Sequence, residues 1–347
     1  MAYTTIDKST DYFNTKLWNG NSSTQAISGI GFAPDWVWGK QRTGTENHQV
    51  LDIIRGANNI LSTNADTGNV ADSQILNSFD SDGFTLGNQN QLNDTGATYV
   101  GWSWKANGAG SANTDGSINT VKTSANTTSG FSISKFVGSG GAATVGHGLG
   151  VAPKVIIIKY LGGEANWGVY HQSLGNTGAL FLDLTGTVGN SGDYWNSTSP
   201  TSTVFSVNTF SGFNYNGGNM IAYCFAEKKG FSKFGSFLGN GEPIGDAPFI
   251  YTGFKPAWVM IKSSSYGGQH WAITDNKRLG YNGDSAWLKA DSNGAELTNL
   301  VNPNLLSNGF SLQNNNDIYN KNGQSYIYMA FAESPFVTST GIPTTAG

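Results

Sequence analysis

The sequence predicts an all-β protein made of three tandem β-sandwich repeats, of the jelly-roll or lectin-like kind, with about 100 residues each. Composition is the first observation behind this prediction. Only 12% of the 347 residues are charged, 12% are aromatic, and glycine occurs 47 times. Aromatic and β-branched side chains pack well on pleated strands, and Gly and Asn fill tight turns. No long segment keeps an apolar stripe with the 3.6-residue period of a helix.

The second observation is an apolar strand that the chain repeats three times. Its copies read ATYVGWSWKA, GNMIAYCFAE and QSYIYMAFAE and end at Ala106, Glu227 and Glu333. About 70 residues before each copy, a proline precedes another apolar run, in GFAPDWVWGK, GVAPKVIIIK and GFKPAWVMIK. A proline fits the first position of a strand, where a missing N–H costs little. These segments predict two buried strands in each repeat.

The third observation is that two further landmarks recur in the same order. FNTKLWNGN, FSISKFVGSG and FSKFGSFLGNG predict the opening strand of each repeat. SDGFTL, SGFNYN and SNGFSL each combine a turn with a short alternating strand. Four landmarks that occur three times in one order indicate an internal repeat.

These landmarks divide the chain into repeats at residues 1–106, 130–229 and 230–335. Residues 107–129 are rich in Gly, Ser, Asn and Thr and are predicted to form a flexible linker or an exposed loop. Residues 336–347 form the expected C-terminal tail. Because almost nothing separates the last two repeats, we expect them to pack tightly together and the first repeat to be freer.

Charge and apolar content argue against several classes of protein. The net charge is −4 and no dense basic cluster exists, so nucleic acid is not an expected partner. No apolar run is long enough to span a membrane. The opening MAYTTIDKST lacks the apolar core of a signal peptide, so we expect synthesis in a cytoplasm. The single cysteine, Cys224, lies in an apolar strand and is expected to be a small buried hydrophobe.

One set of polar side chains has the composition that acid–base chemistry needs. It consists of His48, Asp52 and Arg55 in the first repeat and His270, Asp275 and Arg278 in the third. The middle repeat has Trp167 and His171 at the matching positions and no matching arginine. Asp-x-x-Arg across a turn usually ties backbone together, and no serine or cysteine nucleophile recurs beside it. We therefore expect a structural role for this set.

Neither a glycosidase pair nor a metal centre stands out in the sequence. The repeat-equivalent Glu227 and Glu333 have Ala106 as their counterpart, at a strand end. The four histidines lack metal-ligand spacing. Calcium could bind turns at Asn113 or at Asp80–Asp82, but neither turn follows a calcium-loop pattern. We expect no catalytic residue, no cofactor and no metal, with bound calcium left open.

Five aromatic residues in or beside turns are candidates for contact with a ligand or partner: Trp18, Tyr194, Trp195, Tyr266 and Tyr281. Aromatic faces in the loops of β-sandwich modules often stack on sugar rings or partner side chains. The alternative is that these rings cap the small cores of the repeats. Tyr194 and Trp195 are the strongest candidates because their loop is otherwise polar.

Several long phrases resemble a protein family encoded in marine bacteriophage genomes. They are TTIDKSTDYFNTKLWNGNSSTQAISGIGFAPDWVW, ANGAGSANTDGSI, VGHGLGVAPK and AYCFAEKKGFSKFGSFLGNG. The similarity runs along essentially the whole chain and includes all three repeats. That family looks like a family of virion structural proteins of uncharacterised function, and its members are often taken for tail, fibre or capsid-associated components. The resemblance implies a virion role and supplies no catalytic residues.

The sequence therefore predicts a non-enzymatic virion structural protein on the particle exterior. We expect a component of a tail fibre or tail appendage that contributes to host-surface attachment. A capsid decoration (cement) protein is the alternative, because no heptad or β-helix repeat supplies a shaft. A polysaccharide-degrading enzyme is the second alternative. The expected partners are other virion proteins, further copies of the chain (a trimer, by general precedent alone) and a host-surface glycan, without a membrane.

Overall fold

The computed structural model describes residues 4–243, 245–278, 282, 286–298 and 303–335. Within these residues the chain is all-β, with several antiparallel sheets, which confirms the predicted fold class. The expected tail at 336–347 and the candidate Tyr281 lie outside the described residues. No helix in the described ranges has the length and the apolar character needed to cross a membrane.

We call residues 4–106 the first unit. After a one-turn 3-10 helix at Ser9–Asp11, its elements are β1 (Phe13–Asn19), β2 (Gln25–Ser28), β3 (Trp36–Gln41), β4 (Gln49–Asp52), β5 (Asn59–Ile60), β6 (Val70–Ala71), β7 (Leu76–Asp80), β8 (Gly83–Leu86), α1 (Asn90–Asn93) and β9 (Thr98–Trp104). Its main sheet has the strand order β1-β9-β3-β4. A small sheet has the order β2-β8-β7, and β5 pairs with β6.

Residues 107–229 form the second unit. Its elements are β10 (Lys122–Asn126), β11 (Phe131–Val137), β12 (Ala143–Gly146), β13 (Val155–Tyr160), β14 (Gly168–His171), a 3-10 helix at Gln172–Leu174, β15 (Gly178–Phe181), β16 (Gly189–Asn190), α2 (Gly192–Trp195), β17 (Val204–Val207), α3 (Ser211–Asn214) and β18 (Asn219–Phe225). The main sheet has the order β10-β11-β18-β13-β14-β15-β16, and the small sheet pairs β12 with β17.

Residues 230–335 form the third unit. Its elements are β19 (Ser232–Leu238), β20 (Phe249–Tyr251), β21 (Phe254–Ser263), β22 (Ala272–Asp275), β23 (Trp287–Lys289), β24 (Asn304–Leu306), β25 (Gly309–Ser311), α4 (Asp317–Asn320) and β26 (Ser325–Pro335). The main sheet has the order β19-β26-β21-β22-β23, and the small sheet has the order β20-β25-β24.

The three main sheets share one strand order. In each, the opening strand pairs with the repeated apolar strand, which pairs with the proline-initiated strand, which pairs with the next strand along the chain. The proline-initiated strands also share one register, with Trp36, Val155 and Trp258 opposite Trp104, Phe225 and Phe331. The structure thus contains these strands where the sequence placed them.

The prediction of a strand at SGFNYN is wrong. Ser211–Asn214 forms the short helix α3, and the equivalent strand of the small sheet is β17. The helix docks on the main sheet because Gly168 has no side chain, and a Cβ there would lie 2.0 Å from the ring of Phe213. Its counterparts α1 and α4 stand at the same place in the other units, just before β9 and β26.

The prediction of a flexible linker at 107–129 is also wrong for its last part. β10 lies inside this segment and pairs with β11 at the edge of the main sheet. Its buried side chains are small and polar, and the hydroxyl of Thr123 lies 2.9 Å from that of Thr120 and 3.1 Å from that of Ser134. A segment without large apolar residues therefore forms a strand because hydroxyl groups satisfy one another on its buried face.

One apolar core is shared by all three units. Trp104, Phe225 and Phe331, which take the same position on the three repeated strands, meet with ring centroids 5.5–6.4 Å apart. Trp36 and Trp258 pack against them from the neighbouring strands. Each unit also has a separate core that includes residues of its main and small sheets. The expectation that the first repeat is freer than the others is wrong, because its rings are buried in the shared core.

The units contact one another in a closed ring. Three backbone hydrogen bonds connect equivalent positions of successive units: Asn69 N–H to Leu161 O (2.9 Å), Val188 N–H to Ser264 O (2.9 Å) and Glu296 N–H to Arg42 O (2.8 Å). They run from the first unit to the second, from the second to the third, and from the third to the first. We call these contact regions the 1–2, 2–3 and 3–1 junctions. The chain therefore has an internal pseudo-threefold arrangement.

A turn held by a buried asparagine also recurs in each unit. Asn93, Asn214 and Asn320 each accept a backbone N–H from the loop after the opening strand, at 2.8–2.9 Å. That loop begins with a glycine in each unit, at Gly20, Gly138 and Gly239. A Cβ at any of these glycines would lie 2.1–2.3 Å from a carbonyl oxygen. The spacing Asn-x-x-Gly before each repeated strand is the sequence signal for this turn.

Candidate functional site

A polar cleft of about 250 Å³ opens at the 1–2 junction. It is lined by Arg55, Asn59 and Asn69 of the first unit and by Lys135, Leu161, Gly162 and Asn219 of the second. We call it the junction cleft. The two units approach closely beside it because Gly68 has no side chain: a Cβ there would lie 2.7 Å from the carbonyl oxygen of Leu161.

Arg55 is held rigidly at the wall of the junction cleft. Its side chain is only 2% exposed. Nε donates to Asp52 Oδ2 over 2.5 Å, and Nη2 donates to the carbonyl oxygen of Val50 over 2.9 Å. Nη1 donates to the carbonyl oxygen of Asn59 at 3.0 Å and to Asn69 Oδ1 at 2.8 Å. The guanidinium is therefore fixed in the cleft wall, with its charge balanced by the buried carboxylate of Asp52.

Asp52 connects the first unit to the second. Its carboxylate is fully buried and accepts a hydrogen bond from the hydroxyl of Tyr223 at 2.7 Å, besides the bonds from Arg55. Burial raises the pKa of Tyr223 well above its ordinary value of 10.0, so the hydroxyl remains a donor. A buried carboxylate needs such partners, since an unpaired charge inside a protein is costly.

The 3–1 junction contains the same parts and one more ion pair. Asp275 Oδ2 accepts from Arg278 Nε at 2.7 Å and from Trp102 Nε1 of the first unit at 3.0 Å. Glu296 then bridges two arginines. Arg42 donates to both carboxylate oxygens at 2.8 and 2.9 Å, and Arg278 Nη1 lies 3.3 Å from one of them. This ion network lies at the position that corresponds to the junction cleft.

The 2–3 junction has neither of these ion pairs. His171 stands where the other units have aspartate, and its Nε2 lies 3.3 Å from the carbonyl oxygen of Tyr328. Met329 of the third unit takes the position that Tyr223 and Trp102 take at the other junctions, and a thioether cannot donate a hydrogen bond. The aspartate is therefore present where the neighbouring unit offers a donor and absent where it does not.

The sequence alignment of the two predicted histidines is wrong by one residue. The connection from β21 to β22 is one residue longer than its counterparts, so Trp271, and not His270, matches His48. His270 Nδ1 lies instead 2.6 Å from Asp291 Oδ2. The apparent equivalence arose because a histidine happens to precede the matching tryptophan.

His48 is a buried junction residue. Its Nδ1 accepts the indole N–H of Trp38 at 2.9 Å, so its Nε2 carries the proton and donates to the carbonyl oxygen of Lys289 of the third unit at 2.9 Å. Burial, followed by the charge of Lys40, lowers the pKa of His48 well below 6.5. Burial also lowers the pKa of His171 to about 4. Both imidazoles are therefore neutral hydrogen-bonding groups near neutral pH.

Three buried lysines were missed in the sequence. Lys40, Lys159 and Lys262 take one position on the three proline-initiated strands, and all three are 0% exposed. Their ammonium groups donate to backbone carbonyls, such as that of Asp66 across the 1–2 junction at 2.6 Å from Lys159. Burial lowers the pKa of each to about 8. The lysine that ends each proline-initiated run was the signal for them.

A lysine with a lowered pKa can serve as a nucleophile. These three are enclosed and bonded to carbonyl oxygens, which is the geometry of an anchor for the loops that follow β3, β13 and β21.

A side chain after the next strand caps each of these loops. In the second unit, Asp183 Oδ1 accepts the backbone N–H of Trp167 at 3.0 Å, and burial raises the pKa of Asp183 to about 6. In the first unit, the amide of Asn64 accepts the N–H of His48 at 2.9 Å. The same hydrogen bond is therefore made by an ionisable group in one unit and by a neutral group in another.

Trp18 and Trp195, two of the candidates for contact with a ligand or partner, are buried. Trp18 is 7% exposed and stacks on Tyr99 with ring centroids 5.5 Å apart. Trp195 is 1% exposed and stacks on Phe213 with centroids 4.7 Å apart. Both residues have turn-forming neighbours, but their rings extend back into the separate cores of their units.

The other aromatic candidates are partly buried or outside the described residues. Tyr194 lies against Phe210 and Phe213, with ring centroids 5.0 and 5.2 Å away. The ring of Tyr266 is covered by the ammonium of Lys321 at 3.8 Å. These contacts are those of core-capping rings, and the contact role first considered for them stays a prediction.

The small sheet of the third unit exposes aromatic residues other than the five candidates predicted from the sequence. Phe249 is 48% and Tyr251 is 62% exposed. Leu306 is also exposed and pairs with Gly309, as Tyr251 does, so these side chains share one face. The corresponding strand of the first unit, β2, has the sequence QAIS and offers no such rings.

Within the described residues, no group of three or more His, Cys, Asp or Glu side chains could hold a metal ion. At the turns considered for calcium, the oxygens are engaged in hydrogen bonds. Asp82 accepts two backbone N–H groups at 2.6 and 3.0 Å, and Asn113 Oδ1 accepts the N–H of Asp115 at 3.0 Å. Cys224 is fully buried, as predicted, and burial raises the pKa of its thiol.

Comparison with known proteins gives a family without a stated activity. No curated protein matches the chain, and no solved structure matches it. The family described as a domain of unknown function (DUF7483) matches residues 8–335. That span includes nearly all of the three units and the whole junction cleft. The chain therefore belongs to the DUF7483 family.

Proposed function

We propose that this protein is a non-enzymatic structural protein of a bacteriophage virion, located on the particle exterior. In this proposal the chain is three tandem β-sandwich repeats of the jelly-roll or lectin-like kind. It is part of a tail fibre or tail appendage and contributes to host-surface attachment. The resemblance to marine phage virion proteins supports a phage origin. The way in which the three units are joined supports a non-enzymatic structural role.

The observation that carries the proposal is that the groups best suited to acid–base chemistry join the units together. Asp52 and Asp275 are fully buried, and each is bonded to an arginine of its own unit and to a donor of the neighbouring unit. His48 and His171 contact main-chain carbonyls across junctions. A group held from two sides and shielded from water is a structural connector rather than a proton carrier.

The shared core is consistent with a structural protein whose function depends on a single rigid shape. Three units closed into a ring around buried aromatic rings form one body, since separating any unit would expose the apolar faces of all three. Charged residues are scarce, at 12% of the chain, so contacts with neighbouring virion proteins would depend weakly on salt.

Immunogold electron microscopy tests this proposal. Antibodies raised against the recombinant chain are applied to purified virions of the phage whose genome encodes it. We expect label on the tail or its appendages. Label spread over the head, with a copy number in proportion to the shell protein, would favour the capsid decoration alternative instead. Absence of the chain from purified virions would contradict the proposal in both forms.

The non-enzymatic part is tested separately. The purified protein is incubated with host-type polysaccharides, and new reducing ends are measured over time. We expect none above the background of heat-inactivated protein. Sustained release of reducing ends would identify a polysaccharide-degrading enzyme and contradict the proposal.

The expected trimer of whole chains stays a prediction within this proposal. A single chain already carries three equivalent units in a ring, so one copy could match a partner with threefold symmetry. Light scattering of the purified protein distinguishes a trimer from a monomer of 36.8 kDa. If light scattering gives the mass of a monomer, the proposal loses the homotrimer. The ring of three units within one chain would then be what matches a partner with threefold symmetry.

A further inference from the structure

We propose that the junction cleft binds the carboxylate of an acidic saccharide, with one hexuronate residue as the smallest ligand. The inference deepens the proposed attachment role and rests on it for its biological meaning. The binding itself is a property of the purified chain and does not depend on where the chain is found.

The 3–1 junction shows which group the corresponding position accepts. There the carboxylate of Glu296 lies between Arg42 and Arg278, at 2.8–3.3 Å from their nitrogens. Asn69 is its equivalent at the 1–2 junction, because its backbone N–H bonds to Leu161 as that of Glu296 bonds to Arg42. The 1–2 junction therefore keeps an arginine, Arg55. Where the 3–1 junction has the carboxylate of Glu296, the 1–2 junction has the neutral amide of Asn69 and open space.

The charge of the junction cleft favours an anion. Lys135 lines it, and Lys122 lies directly opposite Lys135 in the pairing of β10 with β11. Two like charges in opposite positions of a strand pair repel each other. Neither lysine forms an ion pair with any other residue that the structure describes. An anion in the cleft would relieve this repulsion.

The remaining charges near the cleft cancel the charge of these two lysines only in part. Arg55 is already neutralised by Asp52 at 2.5 Å. The nearby carboxylates of Asp66 and Asp183 act on the buried Lys159, whose pKa they raise against the effect of burial. Lys159 offsets one of these two carboxylates, so the charged groups named here leave an excess of one positive charge at the cleft. The 2–3 junction has Val188 and Ser264 at the equivalent positions, and neither carries a charge.

The lining suits a sugar acid better than an acidic peptide. Besides the charged groups, it consists of amides and one glycine, with Leu161 as its one large apolar side chain. The amide of Asn219 is exposed and has no side-chain hydrogen-bond partner among the described residues, so it can pair with a hydroxyl group. The volume of about 250 Å³ lies below the roughly 300–1,000 Å³ of pockets for drug-sized ligands, which suits a single sugar ring.

The test compares two probes that differ only in the acid group. Methyl β-D-glucuronide and methyl β-D-glucoside are titrated into the purified full-length protein and followed by NMR. We expect the glucuronide to bind, to shift the side-chain amide signals of Asn69 and Asn219, and to bind more weakly as salt is added. We expect the glucoside to bind far more weakly or not at all.

Variants locate the binding. Lys135→Gln is expected to weaken glucuronide binding roughly tenfold or more, the loss that corresponds to one hydrogen bond to a charged group. Lys277→Gln, at an exposed position of the 3–1 junction, is the matched control and should leave the affinity unchanged. Asn69→Glu copies Glu296 into the cleft and should abolish binding. If Asn69→Glu fails to fold, as judged by circular dichroism, the comparison of Lys135→Gln with Lys277→Gln still tests whether the ligand binds in the cleft.

The inference would be overturned by any of the following results: no glucuronide binding, equal binding of the glucoside, or an affinity that Lys135→Gln does not change. Tighter binding of N-acetylglutamate amide than of the glucuronide would assign the cleft to an acidic peptide and overturn the saccharide. If the glucuronide does not bind but the chain is present on virions, the proposed function stands and a different surface of the protein must make the host attachment. Binding of the glucuronide by a chain that is absent from virions would contradict the proposed function alone.

Discussion

The 3–1 and 1–2 junctions are built from the same parts and differ in how they are closed. Each has a buried Asp–Arg pair that receives a hydrogen bond from the neighbouring unit. At the 3–1 junction, Arg42 and Glu296 complete an ion network. At the 1–2 junction, Leu161 and Asn69 take these places and a cleft of about 250 Å³ remains.

The backbone hydrogen bond that connects the units is nearly the same at the two junctions. The connecting N–H to carbonyl distance is 2.9 Å at the 1–2 junction and 2.8 Å at the 3–1 junction. The cleft therefore does not arise because two units stand further apart. At this connection the two junctions differ in their side chains: Arg42 and Glu296 form an ion network at the 3–1 junction, and Leu161 and Asn69 line a cleft at the 1–2 junction.

The largest expected difference between the junctions concerns their aspartates. Asp52→Ala should lower the free energy of unfolding by about 3–5 kcal/mol, because it leaves the buried Arg55 without a carboxylate. Asp275→Ala should cost less, because Glu296 still contacts Arg278. Urea unfolding of both variants measures the two losses.

Asp11→Ala is the control for the aspartate comparison, since Asp11 pairs with Lys8 at an exposed position and should cost only about 0–1 kcal/mol. Equal losses for Asp52→Ala and Asp275→Ala would show that the ion network does not compensate for the missing aspartate.

A smaller effect is expected from opening the sealed junction. Glu296→Gln removes the charge that two arginines share and should lower the free energy of unfolding by about 2 kcal/mol, in the range of hydrogen bonds to charged groups. Glu333→Gln, whose partner Lys255 is one-third exposed, should cost about 0–1 kcal/mol. If the two glutamine variants are equally stable, the network at the 3–1 junction contributes nothing and the contrast between the junctions is only one of shape.

The smallest effect concerns Asp183, which lies beside the Lys159 anchor of the 1–2 junction. Its folded-state pKa of about 6 lies above the ordinary value of 3.8, so the folded chain holds this proton more tightly than the unfolded chain. The resulting stability is fully present below about pH 4 and is lost as the pH rises through 6.

Asp183→Asn, which copies Asn64 of the first unit, should therefore raise the free energy of unfolding by about 1 kcal/mol at pH 7. The gain should shrink as the pH falls towards 4. Urea unfolding at several pH values measures this, and a gain that does not depend on pH would refute the assigned cause.

The sequence predicted the fold class and the strands that carry large apolar side chains, because burial leaves a direct mark on residue type. It failed where polar residues are buried. Lys40 ends an apolar run and resembles a solvated strand end, although its ammonium is enclosed by carbonyl oxygens. Trp18 stands beside an Asn-Gly turn and looked exposed, although its ring lies on Tyr99.

The junction cleft could not be found from the sequence. The ion network at the equivalent place in the 3–1 junction pairs Arg42 with Glu296, which are 254 positions apart in the chain, and no local sequence pattern indicates such a pair. The internal repeat shows from the sequence which strands of the three units are equivalent. Only the register of the folded strands shows that Trp271, and not His270, matches His48. A one-residue difference in loop length is enough to hide an equivalence of this kind.

The central claim is that the three units form one body around a shared core. The most direct measurement is equilibrium unfolding of the whole chain in urea, followed by tryptophan fluorescence and by circular dichroism. The account predicts one transition with the same midpoint by both probes, because Trp104, Phe225 and Phe331 lose their packing together. Separate transitions for individual units would contradict it.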